Sequence, residues 1–271
     1  MGFKTSVIIS TYNQQEWLRK VLIGYVQQTT KDFEIIIADD GSTQETINLI
    51  EDFKQNSDLK LAHVWHKDEG FQKTKILNKA IAASHGEYLV FSDGDCIPRK
   101  DFVEKHVSLK NENCFLSGGY FKLPLDVSKM VAEKDIVNQA CFDKQWLIEK
   151  GMKSSFKMNK LNSSGFKEWM LNTFTPTKAT WDGMNASGFK KDILAVNGFD
   201  ERMQYGGEDR EMGERLMNFG IKAIQIRYSA ICVHLDHDRN YINKEHISTN
   251  KAIRAETKMQ KKTWTDFGIE K

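Results

Sequence analysis

Strand-like and helix-like segments alternate four times within the first third of the chain, and that rhythm restricts the fold more than any other feature. Residues 6–10 (SVIIS) form a short β-branched run, closed by Thr11, Tyr12 and Asn13. Trp17, Leu18, Val21, Leu22, Tyr25 and Val26 then recur at helical spacing. A second strand over 33–38 (FEIIIA) ends in Asp39-Asp40-Gly41-Ser42, and Ile47, Leu49, Ile50 and Phe53 suit the helix after it. Residues 59–65 read as a third strand. A helix opening at Lys73 or Thr74 carries Ile76, Leu77, Ala80 and Ile81, and a fourth strand over 88–91 (YLVF) ends in Ser92-Asp93-Gly94-Asp95. Such alternation predicts a Rossmann-like, mainly parallel α/β sheet with right-handed crossovers, flanked by helices. Ligands in such sheets bind at the carboxyl ends of the strands, where Asn13, Asp39, Asp40, Asp93 and Asp95 all fall.

The rest of the chain is less regular. Residues 126–180 are rich in Lys, Ser and Asn, with Trp146, Trp169 and Phe174 scattered among them, and read as an insertion of short helices and loops. Order returns at 184–189 and in a helix over 208–218, with closing strands expected over 223–227 and 229–234. The tail from 241 reads as a polar, basic helix. The expected organisation is one domain over 1–271: a nucleotide-binding half over 1–120, an insertion over 121–180, an acceptor and catalytic half over 181–240, and the C-terminal helix over 241–271.

With 40% hydrophobic residues the chain can bury a real core, and 39 basic against 37 acidic residues give no argument for nucleic acid as a partner. Cys96, Cys114, Cys141 and Cys232 show no metal-ligand spacing and are read as buried, reduced thiols. The N-terminus has no signal-peptide core and no run approaches a membrane span, so the expectation is a cytoplasmic protein. The lysine surplus of 144–174 and 251–262 is by default a solvated face. A peripheral contact with the inner face of the cell membrane stays open.

Chemistry concentrates in a few places. Asp93-Gly94-Asp95 sets two carboxylates at a strand end, where they can address a hard cation together with a diphosphate, although alone the motif serves equally as a turn. Asp39 can accept hydrogen bonds from a base or ribose, with Gly41 allowing the sharp turn and Ser42 capping the next helix. Glu208-Asp209 follows Gly206-Gly207 at a helix start; the helix dipole favours acids there anyway, and one of them could take a proton from an acceptor hydroxyl. His234 ends an apolar strand and His237 follows three residues on, so either could join carboxylates on a metal, with His234 preferred. Lys73 sits at a basic helix start that could meet phosphates.

In order, VIISTYN, IIIADDGS, DEGFQKTKILNKAI and YLVFSDGDC resemble family 2 glycosyltransferases of the GT-A fold over residues 5–96. WDGMNASGFKKDILAVNGFDE, YGGEDREMGERL and CVHLDH resemble the C-terminal portion of galactosyltransferases and of chondroitin-type polymerases. The resemblance implies an inverting transfer from a UDP-sugar to a glycan or lipid-linked acceptor, assisted by Mn²⁺ or Mg²⁺, in bacterial surface polysaccharide or lipopolysaccharide synthesis. It implies Thr11, Tyr12, Asn13 and Asp39 around the nucleoside, Asp93 and Gly94 at the ribose and diphosphate, and Lys73 near the nucleotide. It further implies Asp95 and His234 on the metal, Asp209 as base, Glu208 on a sugar, and Trp181, Gly183 and Asn185 shaping the sugar pocket. Tyr205-Gly206-Gly207 departs from the Trp-rich galactosyltransferase version, which leaves the donor sugar open. Two rival readings are a nucleotide-sugar-binding subunit without catalysis and a nucleotidyltransferase. The latter is disfavoured because STYNQQEW carries neither Gly nor Lys after the first strand.

Overall fold

A computed structural model describes residues 4–238 and 243–271. The first half follows the predicted alternation: β1 (Thr5–Thr11), α1 (Gln15–Val26), β2 (Glu34–Asp39), α2 (Gln44–Asn56), β3 (Leu61–Trp65), α3 (Lys73–Ala83) and β4 (Tyr88–Asp93). Then come β5 (Cys96–Pro98), α4 (Phe102–Leu109), β6 (Cys114–Ser117) and β7 (Gly119–Lys122). The insertion is a train of short helices, α5 (Leu125–Met130), α6 (Glu133–Val137), α7 (Lys144–Glu149), α8 (Asn159–Asn162) and α9 (Gly165–Phe174). The chain ends with β8 (Asn185–Phe189), α10 (Lys190–Ala195), α11 (Glu208–Asn218), β9 (Lys222–Gln225), β10 (Ile231–His234) and α12 (Lys244–Met259). Of the expected tail helix, residues 241 and 242 lie outside the described residues.

Among the described residues, seven strands form a sheet of order β3-β2-β1-β4-β8-β6-β9, and β5-β10-β7 form a smaller one. β1 to β4 run parallel, and β8 is antiparallel to both β4 and β6. Both faces of the parallel part are covered, which is why its strands read as continuous apolar runs. Val7, Ile9, Ile35, Ile37 and Val90 pack toward α1 and α2, while Ile8, Ile36, Leu89 and Phe91 pack toward α3. The two expected closing strands part company: β9 takes the edge of the large sheet, and β10 takes the centre of the small one.

Strand register positions the site. Thr11 lies beside Asp39 on one side of β1, and Ser10 beside Asp93 on the other. The strand order reverses direction about β1, so its carboxyl end opens the crevice in which ligands of such sheets bind. In the small sheet, antiparallel pairing sets His234 opposite Cys96, and the Leu235 amide donates to the Asp95 carbonyl at 2.9 Å. All four cysteines are buried and unpaired by disulfides. Among the described residues no helix is long and apolar enough to cross a membrane.

Candidate active site

The ends of β1 and β2 hold one another. Asn13, in the left-handed region at φ 49°, donates its amide to Ser42 Oγ at 2.9 Å and accepts the Thr43 amide on Oδ1 at 2.7 Å. Asp39 is fully buried: Oδ1 accepts the Ser42 amide at 2.8 Å and Oδ2 lies 2.9 Å from His63 Nε2. Asp40 repeats the device with His66 at 2.7 Å and the Gln72 amide at 2.9 Å. Burial pushes the Asp40 carboxyl up, and the hydrogen bond and charge of His66 oppose that. Tyr12 stands out at 45% exposure, its hydroxyl donating to Asp68 Oδ2 at 2.8 Å. The Thr11 hydroxyl is buried without a partner among the described residues and faces Gly94, where a Cβ would come within 3.0 Å of it.

One step along the sheet edge, Asp93 Oδ1 accepts hydrogen bonds from Ser10 Oγ at 2.5 Å and from Lys73 Nζ at 2.7 Å. Burial works against the Lys73 charge, but Asp93, Glu208 and Asp209 outweigh it and hold the ammonium well above its usual range. Lys73 therefore sits between Asp93 and the acidic pair that opens α11. Glu208 is buried and accepts the Gly206 amide at 2.8 Å. Burial, then the charge of Asp209, push its carboxyl up to about 7. Asp209 is half-buried, with Oδ2 accepting the Gly183 amide at 3.1 Å and Oδ1 accepting the Arg210 amide at 2.7 Å. Asp182 joins this group, pushed up to about 6 by burial and then by Asp209 and Asp93. Crowding of perturbed carboxylates marks this edge as a candidate site, although structural ion-pair networks shift carboxylates in the same way.

The third component lies at the small sheet. Asp95 Oδ2 is 3.0 Å from His234 Nε2 and 3.1 Å from His237 Nε2, and the ligand atoms all lie within 4.8 Å of one another. His237 Nδ1 lies 2.7 Å from the Asp238 carbonyl, a bond in which it must donate, so its Nε2 either carries a second proton or turns a lone pair toward the carboxylate. Burial works to raise the Asp95 carboxyl, but hydrogen bonds and charge from both histidines hold it well below the usual carboxylate range. One carboxylate and two convergent imidazoles are a donor set that fits Mn²⁺ and its neighbours. The Tyr120 and His234 rings meet in a T-shaped contact at 5.9 Å, and Lys160 Nζ lies 5.5 Å from the centre of the same tyrosine ring.

The structure thus brings Thr11, Asp93, Gly94, Lys73, Gly183, Glu208 and Asp209 to one edge, with Asp95, His234 and His237 at the adjoining sheet. Three expected contact residues stand behind it instead. Asp39 faces His63, and Trp181 is packed in the core between Phe91 and Phe115 at ring distances of 5.3 and 5.4 Å. Asn185 is buried, its amide donating to the Gly119 and Ala230 carbonyls and its oxygen 2.9 Å from His106 Nε2. Sequence reasoning passed over His63, His66, Asp68, Tyr120 and Asp182. Only Asp182, lying between Trp181 and Gly183, carried a local signal.

Comparison with known proteins shows the family and the fold. The family model for glycosyl transferase family 2 matches residues 6–155, more than half of the chain, and one described as N-terminal domain of galactosyltransferase matches 176–238. The chain is 27% identical to the uncharacterized glycosyltransferase YfnE of Bacillus subtilis over 91% of its own length and 68% of that protein's. It is 27% identical to the chondroitin synthase of Escherichia coli over 79% of its length, and spans 32% of that enzyme. The fold matches residues 1–349 of S. aureus TarS in complex with UDP-GlcNAc with a TM-score of 0.62 at 17% identity, over 95% of this chain and 69% of that one. This protein belongs to glycosyl transferase family 2 and has the GT-A fold.

Proposed function

We propose that this glycosyltransferase moves a sugar from a UDP-sugar to a hydroxyl of a glycan or lipid-linked acceptor, with inversion, and that a divalent cation held by Asp95, His234 and His237 assists. The observation that carries the reading is the convergence of that donor set, with Asp95 and His234 139 residues apart in sequence, beside the sheet edge that holds Asp93 and the α11 carboxylates. The UDP class is supported by the likeness to a TarS structure that holds UDP-GlcNAc. A glycan acceptor in polysaccharide synthesis is supported by the likeness to chondroitin synthase.

A cation bound there would neutralise charge building on the leaving diphosphate. Asp93 lies at the carboxyl end of β4, where the ribose and diphosphate of a donor in the crevice would rest, and Tyr12 offers an exposed ring beside the nucleoside end. Asp209 is the group assigned as base. It is the accessible member of the pair, and its orientation is fixed by the Gly183 and Arg210 amides. Glu208, buried and committed to the Gly206 amide, is less able to reach an acceptor hydroxyl and serves to hold the sugar edge. The hydroxyl, losing its proton to Asp209, attacks C1 opposite the leaving group and so inverts the centre. Asp39, Trp181 and Asn185 act from behind, fixing the loops and strands that carry the contact residues.

The test is binding and hydrolysis across UDP-, GDP- and CMP-sugars with Mn²⁺, then with EDTA. Turnover of a UDP-sugar that EDTA abolishes, and that Asp95→Ala lowers by about a hundredfold or more, is the expected result. Absence of binding to any nucleotide sugar, with or without metal, would overturn the reading.

A further inference from the structure

Helix α9, the last of the insertion, is built inside out. A surface helix of a globular protein normally turns its apolar stripe to the core and its polar face to water. Here all ten residues of Gly165–Phe174 are exposed or half-buried, and the half-buried ones are Glu168, Leu171 and Asn172. The inward face is anchored by polar bonds. Glu168 takes Lys105 at 3.2 Å and the Ser229 hydroxyl, and Asn172 meets Ser229 Oγ at 2.8 Å and the Tyr228 amide at 2.9 Å. The outward face carries Phe166, Trp169, Met170 and Phe174, with the three aromatic residues 75, 55 and 71% exposed. Their rings form a row, Phe166 to Trp169 at 5.5 Å and Trp169 to Phe174 at 6.2 Å. Phe156, from the turn before α8, is 69% exposed as well.

Among the described residues nothing buries this face, and a contiguous aromatic row is costly to leave in water. The surrounding charge says what. Residues 144–178 hold seven lysines, no arginine, and two glutamates, one of which, Glu168, is turned inward. Lys153, Lys157, Lys167 and Lys178 are exposed near the row in sequence. Protein interfaces favour Arg and are depleted of Lys, whereas lysines bordering Trp and Phe are the composition of a segment lying in a bilayer interface.

We propose that α9 docks on an anionic phospholipid bilayer, with Phe166, Trp169, Met170 and Phe174 entering the headgroup boundary and the lysines meeting lipid phosphates. The face is tied to the site. The chain leaving α9 reaches Asp182 eight residues on, and Lys160 of α8 donates to the Tyr120 carbonyl at 3.3 Å beside His234. A docked molecule would hold its acceptor side next to the membrane. The proposal does not rest on the transfer reaction, because vesicle binding needs no substrate.

The experiment is co-sedimentation of the full chain with phosphatidylglycerol–phosphatidylcholine vesicles and with pure phosphatidylcholine vesicles, at low and high salt. The parent protein should sediment with the anionic vesicles at low salt. The triple variant Phe166→Ser, Trp169→Ser, Phe174→Ser should lose about tenfold or more in partition. Lys153→Glu with Lys167→Glu should lose about tenfold through charge alone. Circular dichroism and donor hydrolysis should be unchanged, separating loss of docking from misfolding and from failure of the catalytic reading. Equal sedimentation of parent and triple variant would overturn the proposal. So would a folded parent that ignores anionic vesicles; a dimer in light scattering that the triple variant dissolves would then mark α9 as a self-association face.

Discussion

Glu208 and Asp209 are consecutive carboxylates in unequal surroundings, and under the proposed mechanism the difference gives them different work. Asp209 is half-buried with both oxygens oriented by amides, so Asp209→Asn keeps the shape and removes the proton acceptor proposed above. Transfer should fall by about 10²–10⁴-fold with donor KM changed only a few-fold, which steady-state kinetics on the native acceptor would read. Glu208 instead carries a stability signature. Its carboxyl is raised in the folded protein to about 7 from an ordinary 4.5, so between those values the folded state binds more protons than the unfolded one. Its contribution is therefore unfavourable above the folded value and vanishes below the unfolded one. Glu208→Gln, which keeps an acceptor for the Gly206 amide, should stabilise the metal-free protein by up to about 3 kcal/mol at pH 8 and by nothing at pH 4. Denaturant melts across pH would show the gap opening between about pH 4.5 and 7.

Turns between elements set how closely the strand ends approach. At Gly41 the backbone adopts φ +93°, and a Cβ would stand 2.6 Å from the Asp68 backbone. At Gly220, after α11, φ is +99° but nothing lies within 4 Å of the Cβ position. Strain alone operates at the second position, strain plus a backbone clash at the first. Gly220→Ala should cost about 1 kcal/mol, and Gly41→Ala about 2–4 kcal/mol. Gly41→Ala should also weaken donor binding, because the Asp68 that meets Tyr12 must shift; urea unfolding and donor titration would separate the two effects. Of the two, Gly41 was legible as a turn from its Asp-Gly pair, whereas Gly220, between Phe219 and Ile221, carried no such signal. The helix α11 was legible too, because its apolar residues recur at 3.6 spacing behind an acidic start. Strands β5 and β7, of three and four residues, were not, because segments so short show no resolvable period.

Over the whole molecule, Arg215 fastens α11 to its surroundings. It is fully buried, paired with Glu211 at 2.8 Å, and donates to the carbonyls of Val196 and Gly198. Thr257 of α12 reaches the same Glu211 at 2.8 Å, so one ion pair joins α11, α12 and the loop after α10. Arg215→Met should cost about 3–5 kcal/mol by leaving Glu211 buried and unpaired. Adding Glu211→Gln should recover part of that loss, and thermal melts of the two variants would check both statements.

At this scale the division between sequence and tertiary structure is plain in particular residues. Strands buried on both faces must be apolar throughout, so SVIIS, FEIIIA and YLVF announced a parallel sheet, and the acids after them announced its functional edge. Tertiary structure decided which of those acids face the cleft. Asp39 looked as available as Asp93, yet the β2–β3 pairing brings His63 over it and closes it off. A lone histidine on a strand carries no mark of its partner. His234 was paired with Asp95 only through the family resemblance, and the contact itself is made because β10 pairs with β5 across a long stretch of sequence. Local sequence determines period and turn because those depend on near neighbours. Which charges meet is set by strand register, a property of the folded sheet alone.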